Sequence, residues 1–142
     1  MADLYFGGSV WCNIDVALRR LEPIYKQEAE LLGLSIMEWH VLRVLYKQDK
    51  QMVRELAQAV GRAQTAFTPM LDHIESKGLI ERCPHPTDRR AVIIQLTAQA
   101  KALEGQVKAS AERIEDNLRR KFLEKEWREY EAVVADLQTM RP

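Results

Sequence analysis

At 142 residues, with 46% apolar and 30% charged side chains, the chain is long enough for one packed domain and too apolar to be an unstructured tail. Lys plus Arg and Asp plus Glu each number 21, so no net field draws the molecule toward nucleic acid, and any affinity for phosphate has to come from local arrangement. Two cysteines, Cys12 and Cys83, exclude a disulfide scaffold and suit a reducing cytoplasm, while no stretch approaches the roughly 18 apolar residues of a membrane span. The first ten residues carry Asp3 and no basic-then-apolar order, so no export leader is expected.

From Ser9 to Leu32 apolar residues fall at Val10, Ile14, Ala17, Leu18, Leu21 and Tyr25. That spacing predicts a helix stopped by Gly33, with Pro23 removing one internal hydrogen bond and bending it. Ser35 is placed to cap a second helix, Ile36 to Lys47, whose Met37, Val41, Leu42 and Leu45 form an apolar face. After a polar turn at Asp49 and Lys50, Met52 to Gly61 predicts a short helix ended by its glycine. Gln64 to Lys77 predicts a further helix that buries Phe67, Met70, Leu71 and Ile74 before Gly78 stops it. Leu79 to Cys83 and Ala91 to Leu96 read as the strands of a hairpin with a charged tip. Thr97 then caps a long helix to about Lys121, and a last helix, Glu124 to Thr139, presents Trp127, Tyr130, Val133, Val134 and Leu137.

Helix, tight turn, helix and hairpin in that order make a winged helix-turn-helix, whose second helix enters the major groove of DNA. The segment Arg62 to Leu71 holds one base and no acid, so its surface can approach phosphate. Arg62, Gln64, Thr65 and Thr68 carry guanidinium, amide and hydroxyl groups able to reach base edges and phosphates. At the hairpin tip Arg89 and Arg90 can enter the minor groove or grip phosphates. Asp88 beside them either orients them by an ion pair or accepts backbone N–H groups in the turn.

Asp88-Arg89-Arg90 followed by Leu96-Thr97, with Val53-Arg54-Glu55-Leu56-Ala57 and the run Leu71 to Ile80, resembles the MarR family of bacterial and archaeal regulators over nearly the whole chain. The resemblance implies a mainly α fold with a small β-hairpin wing, and a single domain over 1–142. Within it, 9–34 and 98–142 would be dimerisation helices and 35–97 the DNA-binding region. It further implies a homodimer on an inverted-repeat operator, the helix at 64–77 in the major groove, and Arg90 in the minor groove with Arg89 beside it. Repression relieved by a small lipophilic or phenolic effector is the activity it suggests. Two positions depart from the family pattern: Ala100 stands where a glycine often follows the L-T pair, and Pro69 where a basic residue is common.

Trp11, Tyr25, Met37, Trp39, His40 and Tyr46 are candidates for an effector pocket between helices one, two and five, although aromatic residues at helical spacing equally serve a core. Cys12, one turn into the first helix, is a candidate redox thiol of the organic-hydroperoxide-sensing kind, since a helix N-terminus favours thiolate; its alternative is plain packing beside Trp11. Cys83 and His85 are two ligands where zinc needs four, so no metal site is expected. No nucleophile and base pair, glycine-rich phosphate loop or paired carboxylate stands out, so neither an enzyme nor a cofactor is expected. The competing functions are a peroxide sensor or peroxidase built on Cys12, and a winged-helix protein-interaction module.

Overall fold

Ser9 begins the first helix by accepting the Cys12 N–H on its hydroxyl, and the computed structural model describes Leu4, Tyr5 and residues 7–142. The leader reading rests partly on Asp3, which lies outside the described residues. Helix α1 is Val10–Leu31, with Pro23 inside it, and Gly33 closes its end at φ +71°, a conformation that glycine adopts without a Cβ penalty. Helix α2, Ile36–Lys47, opens with a reciprocal cap: the Ser35 hydroxyl accepts from the Glu38 N–H at 3.2 Å and the Glu38 carboxylate accepts from the Ser35 N–H at 2.8 Å.

A two-residue strand β1, Gln51–Met52, leads into α3, Val53–Ala59, and the turn at Gly61 leads on to α4, Gln64–Ser76. Strands β2, Ile80–Pro84, and β3, Val92–Leu96, follow. The wing is therefore larger than the expected hairpin, an antiparallel sheet in the order β1-β3-β2 with Gln51 opposite Ile94 and Ile80 opposite Leu96. Two residues are too few to produce an alternation that a sequence shows, so β1 is visible only through its pairing. Asp49 fixes this third strand: its carboxylate accepts the N–H of Lys50 at 2.8 Å and of Leu96 at 2.9 Å.

Thr97 caps α5, Ala98–Ala102, by accepting the Ala100 N–H, and its hydroxyl donates to the Gly78 carbonyl at 2.6 Å. The expected single helix to Lys121 is interrupted at Leu103, where ψ opens to −11°; α6 then runs Glu104–Arg119 and α7 Glu124–Thr139. The chain divides into two compact units, Met1–Lys108 and Ala109–Pro142.

In the first unit Phe67, Leu71 and Ile74 of α4 are fully buried with Leu42, Leu45 and Leu56, each such side chain contributing roughly 2 kcal/mol. Spacing of three and four puts these apolar residues on one side of α4 and leaves Gln64, Thr65 and Thr68 exposed. Helix α4 packs against α3 and β2, which gives the wing and α4 a common base. In the second unit the Trp127 ring meets Phe122 and Tyr130 at 6.3 and 5.3 Å, and Arg119 lies over it at 5.2 Å, yet no residue of α7 is buried.

Candidate nucleic-acid interface

The first turn of α4 has no side-chain cap, because Ala63 holds the capping position and offers no acceptor. Its leading N–H groups are thus available to an anion, and Arg62, Gln64, Thr65 and Thr68 stand exposed around it. Thr68 donates weakly to the Gln64 carbonyl at 3.4 Å. Pro69, exposed and inside the helix, has no N–H for the ladder, which leaves the Thr65 carbonyl to find another donor.

The wing tip is built from two side-chain acceptors. His85 Nδ1 accepts the backbone N–H of Thr87 at 3.2 Å and of Asp88 at 3.0 Å, and Asp88 Oδ1 accepts that of Arg90 at 2.9 Å. Asp88 thus adopts the turn role of its two expected roles. With Asp88 engaged by the backbone, Arg89 and Arg90 remain exposed at the tip. Arg82 ties the wing to α4: its guanidinium bonds Asp72 at 2.5 Å and Glu75, and its backbone N–H reaches Glu75 at 3.3 Å. Sequence spacing gave no sign of this clamp, since an arginine on a strand and two acids on a helix read as separate solvated charges.

A second feature lies beside α4. An open cavity of about 1100 Å³ is lined from α1 by Leu18, Leu21 and Tyr25, from α2 by Met37, His40 and Arg43, and from the helix-turn-helix by Val60, Arg62 and Met70. Three of the six candidate effector residues, Tyr25, Met37 and His40, line it. The other three sit elsewhere: Trp39 is in the core at 1% exposure, Tyr46 donates to the Ala100 carbonyl at 2.5 Å, and Trp11 is 83% exposed. The cavity opens between α1, α2 and the α3–α4 turn, without the fifth helix.

His40 stacks on Tyr25 at 6.0 Å and bonds the Ile36 carbonyl through Nδ1 at 2.8 Å. Burial holds its pKa below the ordinary histidine value, partly offset by that bond, and the charges of Arg43 and Arg62 lower it further. A neutral ring that donates from Nδ1 leaves Nε2 as an acceptor. Arg62 therefore belongs both to the exposed edge of α4 and to the cavity wall, a sharing that its place in the sequence did not reveal.

Cys12 is half-buried in the first turn of α1 and Cys83 half-buried in β2; both are free thiols. No group of three or more metal-ligating side chains occurs among the described residues, and no helix among them is long and apolar enough to cross a membrane.

The family model described as MarR family matches residues 34–92, which hold α2, α3, α4 and the wing up to the start of β3. The HTH-type transcriptional regulator YwhA of Bacillus subtilis is 26% identical over 97 residues, covering 68% of this chain and 70% of that protein. The chain spans 45 to 55% of the length of three further regulators from the same organism, the repressor MdtR among them. The fold is that of Bordetella bronchiseptica BpsR, a structure concerned with regulation of DNA binding by 6-hydroxynicotinic acid (TM-score 0.86, 19% identity, 99% of this chain and 100% of that one). It is also that of S. aureus MepR in complex with DNA (TM-score 0.82, 21% identity, 91% and 96%). The segment matched by the MarR family model, residues 34–92, coincides with the helix-turn-helix and most of the wing, and the fold around it is the one shared with BpsR and MepR.

Proposed function

We propose that the protein is a cytoplasmic homodimeric repressor that binds an inverted-repeat operator and leaves it when a small phenolic or lipophilic effector binds. The observation that carries the reading is the exposed, acid-free, uncapped start of α4 together with a wing tip whose two arginines stand exposed in a turn that His85 and Asp88 hold through its backbone. Arg62, Gln64, Thr65 and Thr68 would meet bases and phosphates of the major groove, and Arg89 and Arg90 the neighbouring minor groove. Binding, with no turnover, is the activity assigned.

The dimer reading draws support from α1, where Val10, Trp11, Ile14 and Leu18 form an exposed apolar stripe, and from α7, where Tyr130 and Val133 are exposed. The segments 9–34 and 98–142 would supply that interface, and 35–97 the DNA contacts. The cavity suits an aromatic effector that stacks near Tyr25, donates a hydroxyl proton to His40 Nε2 and offers an anionic group to Arg43 or Arg62. BpsR, which shares this fold, has its DNA binding regulated by 6-hydroxynicotinic acid, a small aromatic acid with a hydroxyl group.

Selection of bound duplexes from a random pool tests the reading. Recovery of a motif with two-fold symmetry is expected; no enrichment at low ionic strength overturns it.

A further inference from the structure

Glu38 is the one fully buried acidic side chain among the described residues, 1% exposed in the first turn of α2. A cap glutamate is ordinarily solvated, and burying a carboxylate costs several kcal/mol unless cations and donors compensate. Its partners come from the far end of α4. Oε2 accepts from Lys77 Nζ at 2.8 Å as well as from the Ser35 N–H, and Oε1 stands 3.4 Å from His73 Nε2. Oε1 has no hydrogen-bond donor among the described residues, so His73 is placed to engage it as an ion-pair partner when its ring is protonated. Lys77 also donates to the Gly33 carbonyl at 3.2 Å, which brings the end of α1 into the same junction. His73 and Lys77 are one helical turn apart, so both act on the same stretch of α4.

We propose that Glu38 is a positioning residue for operator recognition: its buried carboxylate, paired with Lys77 and reached by His73, anchors the last turn of α4 on α2 and sets the angle at which the first turn meets a duplex. The inference rests on the DNA-binding reading. Lys77 is also part of the cavity wall, so the junction lies where an occupied cavity can loosen α4.

Glu38→Gln is the informative substitution, because glutamine completes the same helix cap while removing the charge that holds Lys77. Net charge becomes more positive, so simple electrostatics predicts equal or tighter binding to any duplex, whereas loss of positioning predicts weaker binding to the matched one alone. Affinities for a duplex selected by the wild-type protein and for an unrelated duplex of the same length are compared in Glu38→Gln, Lys77→Met, Lys77→Arg and the Glu38→Gln/Lys77→Met double variant. All are measured below the unfolding transition, with helical content checked by circular dichroism.

Glu38→Gln and Lys77→Met should each weaken the matched complex by roughly tenfold. The double variant should be no worse than the weaker single one, Lys77→Arg should recover most of the loss, and Glu38→Gln should leave the unrelated duplex within about twofold. Wild-type affinity for the matched duplex in Glu38→Gln, equal losses by that variant on both duplexes, or losses that add in the double variant each overturn the proposal. A wild-type protein that enriches no duplex overturns the DNA-binding reading itself.

Discussion

Tyr46 shows how one hydroxyl joins distant parts of the chain. It stands on α2 and donates to the carbonyl of Ala100, 54 residues away, in α5. Burial, with the nearby Glu104 charge, pushes its pKa up to about 12. Below the ordinary tyrosine value near 10 the phenol is protonated in folded and unfolded states alike, and its contribution to stability is complete. Above that value the unfolded chain ionises first, so the contribution is lost as pH rises toward 12. Wild-type protein should lose roughly 1 kcal/mol more than Tyr46→Phe between pH 9 and 11.5 in urea unfolding, a figure reduced for partial exposure of the ring. Equal losses in the two proteins would show that the phenol does not hold its proton.

At the scale of elements, the turn between α3 and α4 depends on Gly61 at φ +67°, with open space where a Cβ would go. The cost of Gly61→Ala is therefore conformational alone, about 1 kcal/mol in thermal or urea unfolding, and Gly61→Asn should cost less because asparagine tolerates that region. A loss of 3 kcal/mol or more in Gly61→Ala would mean a clash that the turn does not contain. The wing makes a different claim. Arg90→Ala should weaken binding to matched and unrelated duplexes alike and lower the slope of log affinity against log salt by about 1, as expected for one lost phosphate contact. Wild-type affinity and slope at moderate salt would place Arg90 away from the duplex.

These elements were legible to different degrees, for physical reasons. Helices α2 and α7 follow the expected bounds, α2 because Ser35 and Glu38 mark its start in the local chemistry of the cap. Strand β1 was illegible because it is an effect of pairing with β3, and the break at Leu103 because neither proline nor glycine occupies that position. The exposed edge of α4 could be read from its lack of acids. The cavity could not, since Tyr25, Arg43, Arg62 and Met70 come from separate segments and share no spacing. Glu38 was hidden most fully: a cap glutamate reads as solvated until Lys77 and His73 fold over it.

For the molecule as a whole the decisive quantity is the number of recognition helices presented to one duplex. Val10, Ile14 and Leu18 recur every fourth residue along α1 and are 63%, 50% and 61% exposed, with Trp11 beside them at 83%. Such a stripe is costly to leave in water and is the surface a second copy would cover. Ile14→Glu puts a charge in the middle of the stripe at a position already half-exposed in the single chain, so the fold should survive with its helical content unchanged. Burying that charge without a partner would cost more than the packing around it returns, and sedimentation should show a monomer at micromolar concentration. A monomer keeps one recognition helix and loses the gain from joining two half-sites, so its affinity for a two-fold-symmetric duplex should fall on the order of 100-fold. Binding to a duplex carrying a single half-site should change little, which separates loss of assembly from damage to α4 or the wing. Persistence of a dimer in Ile14→Glu would move the interface away from this stripe, and undiminished affinity in a proven monomer would mean that one helix and one wing suffice for recognition.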